Sequence, residues 1–223
     1  MIRRACLLPL CLAAAAAQAG GHFDVDDAGT LDPGQCQYEL WGQRFRQTQT
    51  TIWHLGPACR IGPFEVGLNI DRFSVAGAHS HVVGPQVKWT FLGQAPDARW
   101  SAAMSVSVGV QRPRHADGRT GGQFVVPVSW RATDSLTVHA NLGTDWAPGT
   151  GARTDRGGLA GEWALNSSVS LIAERNRAFG FWTSRVGARY SITPLISIDV
   201  STARVNPGGV RVVTVGLNHE FGR

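Results

Sequence analysis

From residue 36 onward, apolar and polar positions alternate with a period of two, the spacing at which successive side chains of a strand point to opposite faces. The clearest run is 99–111. There Trp100, Ala102, Met104, Val106, Val108 and Val110 share one face, and Arg99, Ser101, Ala103, Ser105, Ser107, Gly109 and Gln111 share the other. Nothing at helical spacing explains this run. In 63–71, Phe64, Val66, Leu68 and Ile70 oppose Glu65, Gly67, Asn69 and Asp71; in 83–91, Val83, Val87, Trp89 and Phe91 oppose Gly84, Gln86, Lys88 and Thr90. The pattern predicts strands near 36–47, 50–61, 63–74, 83–93, 99–111, 123–132, 135–146, 157–165, 168–176, 181–192, 195–205 and 210–221. The first two alternate least cleanly, and Pro57 fits only where its missing N–H is not needed.

Short turns are expected at 62–63, 94–98, 133–135, 166–168 and 193–194. They alternate with connections that read as mostly longer, at 76–82, 112–122, 147–156, 177–180 and 206–209. Turns at one end and longer loops at the other, with an even strand number, describe an all-β, antiparallel transmembrane barrel of about 12 strands with both termini periplasmic.

Alternation alone does not say which face is out. Aromatic residues of the apolar face gather near strand ends: Phe91, Trp100, Trp130, Trp163, Tyr190 and Phe221 toward the short turns, and Phe124, Trp146 and Trp182 toward the loops. Two such girdles belong at the two water–lipid interfaces. The other face carries Glu65, Asp71, Lys88, Arg99, Arg131, Asp145, Glu162, Glu174, Arg185, Arg189, Asp199 and Glu220, which suits a polar lumen rather than the surface of a soluble sandwich, the rival reading. The last strand alternates Val213, Val215, Leu217 and ends near Phe221, like the insertion signal of outer-membrane barrels, although that aromatic stands two residues short of the terminus.

The ends agree with export. Arg3 and Arg4 precede an apolar run from Ala5 to Ala17, and Ala17-Gln18-Ala19 precedes Gly20, so residues 1–19 read as a cleaved signal peptide. Cys11 follows Leu10 rather than a small residue, which argues against lipidation. No other stretch approaches the roughly 20 apolar residues of a spanning helix. Residues 20–35 show no periodicity and are expected as a short periplasmic lead-in to a barrel of 36–223. Glycine (27 residues) and tryptophan (8) are plentiful and only 17% of residues are charged, a supply of turn formers and interfacial aromatics that favours the barrel. The net charge of +5 comes without a basic run, so nucleic acid is not an expected partner.

Cys6 and Cys11 leave with the signal, and the remaining Cys36 and Cys59 are expected to pair across the first hairpin in an oxidising compartment. A one-residue register slip would instead leave two free thiols on opposite faces. Lys88, Arg99, Arg131, Asp145, Glu162, Arg185, Arg189 and Asp199 are the expected pore-lining residues. Asp199 is placed diagonally between Arg185 and Arg189, as an anion-selecting constriction or as a salt-bridge network that holds the barrel shut. His79 and His81 stand at strand spacing without a third ligand, so no metal or other cofactor is expected. Arg112, Arg114, Arg119, Arg153 and Arg156 lie in the longest loops, where they meet lipopolysaccharide phosphates or simply solvate the loops. No nucleophile motif is present, and His139 and His219 fall on opposite faces, so no enzyme is expected.

Asp26-Asp27-Ala28-Gly29-Thr30, followed by Gly34-Gln35-Cys36-Gln37-Tyr38-Glu39, resembles the opening of a family of outer-membrane transporters named after the meta-pathway of phenol degradation. The resemblance covers about fifteen residues and implies a barrel for uptake of small, often aromatic, compounds. This chain is short for that family, and its cysteine hairpin departs from the commonest form. The expected function is an outer-membrane channel or uptake porin for small solutes. Its expected partners are lipid, lipopolysaccharide, the barrel-assembly machinery and the solute. The rival functions are a plugged barrel with a structural, adhesive or assembly role, and an outer-membrane hydrolase.

Overall fold

The computed structural model describes residues 21–95, 97–113 and 118–222; the expected signal peptide, Cys6, Cys11 and Arg114 lie outside the described residues. The strands are β1 (Cys36–Phe45), β2 (Thr50–Ile61), β3 (Phe64–Val75), β4 (Ala78–Leu92), β5 (Trp100–Arg112), β6 (Gly121–Arg131), β7 (Leu136–Trp146), β8 (Arg153–Ala164), β9 (Val169–Ala178), β10 (Phe181–Thr193), β11 (Ile196–Asn206) and β12 (Val210–Phe221). Each pairs antiparallel with its sequence neighbours, and β12 returns to β1 to close the sheet. Closure leaves no sheet edge, so each strand's backbone groups are paired on both sides, the condition for standing in hydrocarbon.

The twelve strands match those expected from alternation, except that β4 and β8 begin earlier, at Ala78 and Arg153. Two connections expected as longer loops are two-residue turns. Ala76 and Gly77 have φ of 48° and 87°, and Phe179 and Gly180 have φ of 50° and 84°. Two successive left-handed residues match the twist of a hairpin. The usual sequence signal for that turn is Asn-Gly or Asp-Gly, and Ala-Gly and Phe-Gly lack its first half. The expected loop asymmetry is correspondingly narrower. At the loop end only the β5–β6 and β7–β8 connections are long, while 93–99 at the other end is itself extended.

The wall has the polarity of a barrel built for lipid. Inward positions include Ser105, Ser107, Ser129, Asn141, Asn176, Ser201 and Thr214, all buried, whereas Leu142, Leu159, Val186, Val200 and Val215 stand exposed on the outside. Around the short-turn end the outer aromatics touch in sequence: Tyr38 with Phe221, Phe64 with Trp89, Trp89 with Phe91, and Trp100 stacked on Trp130 with centroids 5.4 Å apart. Trp53, Phe181 and Trp182 are exposed near the other end. Cys36 and Cys59 lie directly opposite in the β1–β2 register and form the expected disulfide.

Of residues 20–35, expected outside the barrel as a lead-in, 21–31 run inside it, and Asp32, Pro33 and Gly34 are exposed. The reason is chemical: the lumen wall offers charged and hydroxyl groups at many heights, and an aperiodic segment with free backbone N–H groups and carboxylates satisfies them. Phe23, Val25, Ala28 and Leu31 become buried within an otherwise polar interior.

Candidate functional site

The lumen and the segment threaded through it form one hydrogen-bonded unit. Glu174, on β9, accepts the backbone N–H groups of Asp24 (3.1 Å) and Val25 (2.9 Å), and Glu65, on β3, accepts that of Leu31 (2.9 Å). Ser129 Oγ accepts the Ala28 N–H at 2.9 Å, and Thr90 donates its hydroxyl to the Ala28 carbonyl at 2.7 Å. Asn141, its amide turned to suit, donates to the Asp26 carbonyl and accepts the Asp26 N–H. These wall groups sit on five different strands, β3, β4, β6, β7 and β9.

Ion pairs reinforce the backbone contacts. Lys88 Nζ lies 2.9 Å from Asp26 and 3.3 Å from Asp27. Arg185 donates to Asp24 and to Glu174, each at 2.8 Å. His22 stacks on Phe23, with its Nε2 2.6 Å from Ser201 Oγ. Burial, followed by the nearby Arg185 charge, pushes the His22 imidazole down to about 4, so it is neutral at ordinary pH.

Lys88, Asp145, Glu162, Arg185, Arg189 and Asp199 are all buried in the lumen, as expected from their strand faces. Their pairing differs from the expected diagonal. Arg189 and Asp199 are direct cross-strand partners joined by two hydrogen bonds of 2.7 and 2.9 Å, while Arg185 turns to Glu174 and Asp24. Arg99 does not line the lumen: it is exposed in the bend before β5, because its inward parity is reached only after the strand has ended. Arg131 closes β6, half-buried at the same mouth. Arg156, expected in an outer loop, belongs to β8 and reaches inward to Asp145 at 2.9 Å and to the Asp24 carbonyl at 3.3 Å.

Asp145 also accepts the Phe179 N–H at 2.7 Å, which ties the wall to the β9–β10 turn at the loop end. A cavity of 890 Å³ follows the segment, lined at the short-turn end by Ser135, Ser168, Pro194 and Glu220, and nearer the loop end by Gln123 and Arg156. Residues 21–31 therefore occupy part of the lumen and narrow it. His139 is buried beside Ser129, with Nδ1 2.8 Å from Oγ, a pairing that no sequence motif signals because the two residues meet only across β6 and β7. That Oγ already accepts the Ala28 N–H. His219 faces outward, 3.1 Å from the Tyr38 hydroxyl. His79 and His81 lie on β4, paired across β3 with Ser74 and Arg72.

The fold has solved relatives in structure. The KdgM porin superposes with a TM-score of 0.63 over 83% of this chain and 99% of its own, at 12% identity. The NanC porin gives 0.61 over 82% and 98%, also at 12% identity. Outer membrane phospholipase A from Escherichia coli gives 0.51 over 87% and 98%, at 12% identity. At such identities the likeness is one of fold: a porin-like, twelve-stranded closed barrel. No curated protein matches the chain. The likeness of its opening residues to the phenol meta-pathway transporters spans about fifteen residues, whereas one family model spans nearly all of it. That model, described as "Uncharacterised conserved protein UCP029691", matches residues 7–221, and the chain belongs to that family.

Proposed function

We propose that the protein is an outer-membrane channel for small solutes that its own N-terminal segment holds closed. The observation that carries this reading is the docking of residues 24–31 onto lumen charges of an apolar-walled barrel. A permanently solid barrel needs no separate plug, since apolar side chains from the wall fill it more cheaply than buried ion pairs. A plug held by charge-assisted hydrogen bonds has a ready alternative in water and is released by a competing anion or a change in the wall. The export signal of residues 1–19, periplasmic termini, delivery by the barrel-assembly machinery and contact with lipopolysaccharide complete this reading.

The chemistry is passage rather than reaction. Ser129 and His139 are buried, and the Ser129 hydroxyl is engaged by the Ala28 N–H. The resemblance of 26–39 to the phenol meta-pathway transporters makes small aromatic compounds the first solutes to assay.

The test is conductance in a planar bilayer. The mature protein is expected to be silent or to flicker, and a variant lacking residues 21–33 to show steady open steps. A structural barrel, the second reading, is favoured by the same ion-pair network; it requires that the deleted variant also remain silent.

A further inference from the structure

The outer wall of β9–β12 and β1 carries an unexpected row of cations at the loop end. Following the register around the barrel, Arg175 faces Ser184, Ser184 faces Arg204, and Arg204 faces Arg211. Arg46 continues the row, donating its N–H to the Arg211 carbonyl at 2.8 Å. Arg44 stands one pair lower, opposite Val213. These positions have outward parity, and Arg44, Arg46, Arg175, Arg204 and Arg211 are exposed. None of the outward-facing residues of the five strands is acidic.

Like charges placed directly opposite destabilise a sheet, so the Arg204–Arg211 pair is costly unless an anion lies between them. Among the described residues neither guanidinium has a carboxylate within ion-pair distance. Arg204 lies over the β11–β12 turn: a Cβ on Gly209 would stand 2.8 Å from its guanidinium, so the charge is held at the rim and out of the hydrocarbon. Arg175 is also fixed, donating to Ser184 Oγ at 3.2 Å and stacking 4.9 Å from the Trp182 ring, an aromatic of the interfacial kind.

Directly below, the next register row reads Gly161, Ala173, Val186, Thr202. The small side chains sink the wall between Leu159 and Val186, which stand 61% and 58% exposed, and leave an open groove of 640 Å³ with Arg175, Arg204 and Arg211 at its head. The groove is almost wholly apolar, and a cationic head over an apolar channel is the complement of a phosphate on an acyl chain.

We infer that this face binds a phosphorylated glycolipid of the outer leaflet, with a phosphate between Arg204 and Arg211 and one acyl chain lying along Gly161, Ala173 and Thr202. The site rests on the reading of the barrel as an outer-membrane protein whose loop end faces outward, but it is separate from the lumen and from passage. Charge complementarity selects the anion, and the groove selects a lipid over a free ion.

The test uses the detergent-folded mature protein titrated with bisphosphorylated lipid A and followed by native mass spectrometry, with inorganic phosphate as competitor. The double variant Arg204→Gln, Arg211→Gln is expected to weaken binding by about a hundredfold, since each arginine supplies a charge-assisted hydrogen bond worth roughly tenfold. Ala173→Phe, which fills the groove and leaves every charge, is expected to weaken it severalfold. Both substitutions are on the exposed face, and a heat-shifted gel band verifies the fold. Equal affinity of the double variant and the native protein overturns the proposal. So does full displacement of lipid A by millimolar phosphate, which would mark an ion site without a lipid. Bilayer conductance of the double variant is expected to equal that of the native protein, so failure of the channel reading and failure of lipid binding are read separately.

Discussion

Replacing Lys88 with methionine removes the one ammonium that faces both Asp26 and Asp27 while keeping an unbranched side chain only one atom shorter. Lys88 is buried and its Nζ is within 3.3 Å of both carboxylates. Removing one partner of a buried ion pair costs about 3–5 kcal/mol, because the remaining charge is stranded. Asp26 is about a third exposed, so solvent screens part of the loss and the lower end applies, about 3 kcal/mol. The stranded carboxylates belong to the plug, and they regain full hydration by leaving the lumen. The whole penalty therefore acts on docking, shifting the ratio of open to closed barrels by roughly a hundredfold. Single-channel recording reads this as open fraction. Lys88→Met in the full mature chain should open far more often than the native protein, whereas the same substitution in the variant lacking residues 21–33 should change nothing. An unchanged open fraction in the full chain, or an equal change in both backgrounds, would refute the assignment of Lys88 to plug docking.

Three other outcomes follow from the geometry. Gly158 faces the plug so closely that an added Cβ would stand 2.7 Å from Val25 Cγ2; Gly158→Ala should raise the open fraction by an overpacking cost of about 1–3 kcal/mol, and adding Val25→Ala should restore closure. The Cys36–Cys59 disulfide closes a loop of 23 residues, which corresponds to about 3 kcal/mol of chain entropy; the double serine variant should keep the barrel and lose its heat-resistant gel band at a lower temperature, and an unaltered temperature would count against that account. His22 has its docked pKa held at about 4 against the ordinary 6.5, so the released plug binds the proton more tightly than the docked one; the His22 contribution to docking is constant above pH 6.5 and is lost as pH falls from there toward 4. Open fraction measured across that window should rise in the native protein and rise less in His22→Asn.

The strand content was legible because it is written in local pattern. Alternation over 99–111 or 63–71 needs only the pleat and a difference between two faces, and the twelve strands followed with their approximate ends. The lumen positions of Lys88, Asp145, Glu162, Arg185, Arg189 and Asp199 came from the same parity, and the disulfide from the hairpin register. Arg99 shows the limit of that reasoning: parity is correct, but the strand stops before it. The tight Ala76-Gly77 and Phe179-Gly180 turns were missed because left-handed Ala and Phe are imposed by the strands they join rather than by their own preference.

Residues 21–35 have no period and by themselves say only that they are neither strand nor helix. Their conformation comes from wall groups far along the chain, Arg185 standing 161 residues from Asp24 and Glu174 149 residues from Val25. Even the Asp26-Asp27 element that carried the resemblance gave no hint of Lys88 as its partner, 62 residues away from Asp26. The row of Arg175, Arg204 and Arg211 was likewise invisible, since its members become neighbours only through register around a closed cylinder. The amino-acid sequence by itself determined the strands, their faces and the inverted polarity, because those depend on period and composition. The tertiary structure alone decided what fills the lumen and which charges meet, because closure of the barrel brings together groups that no local rule connects.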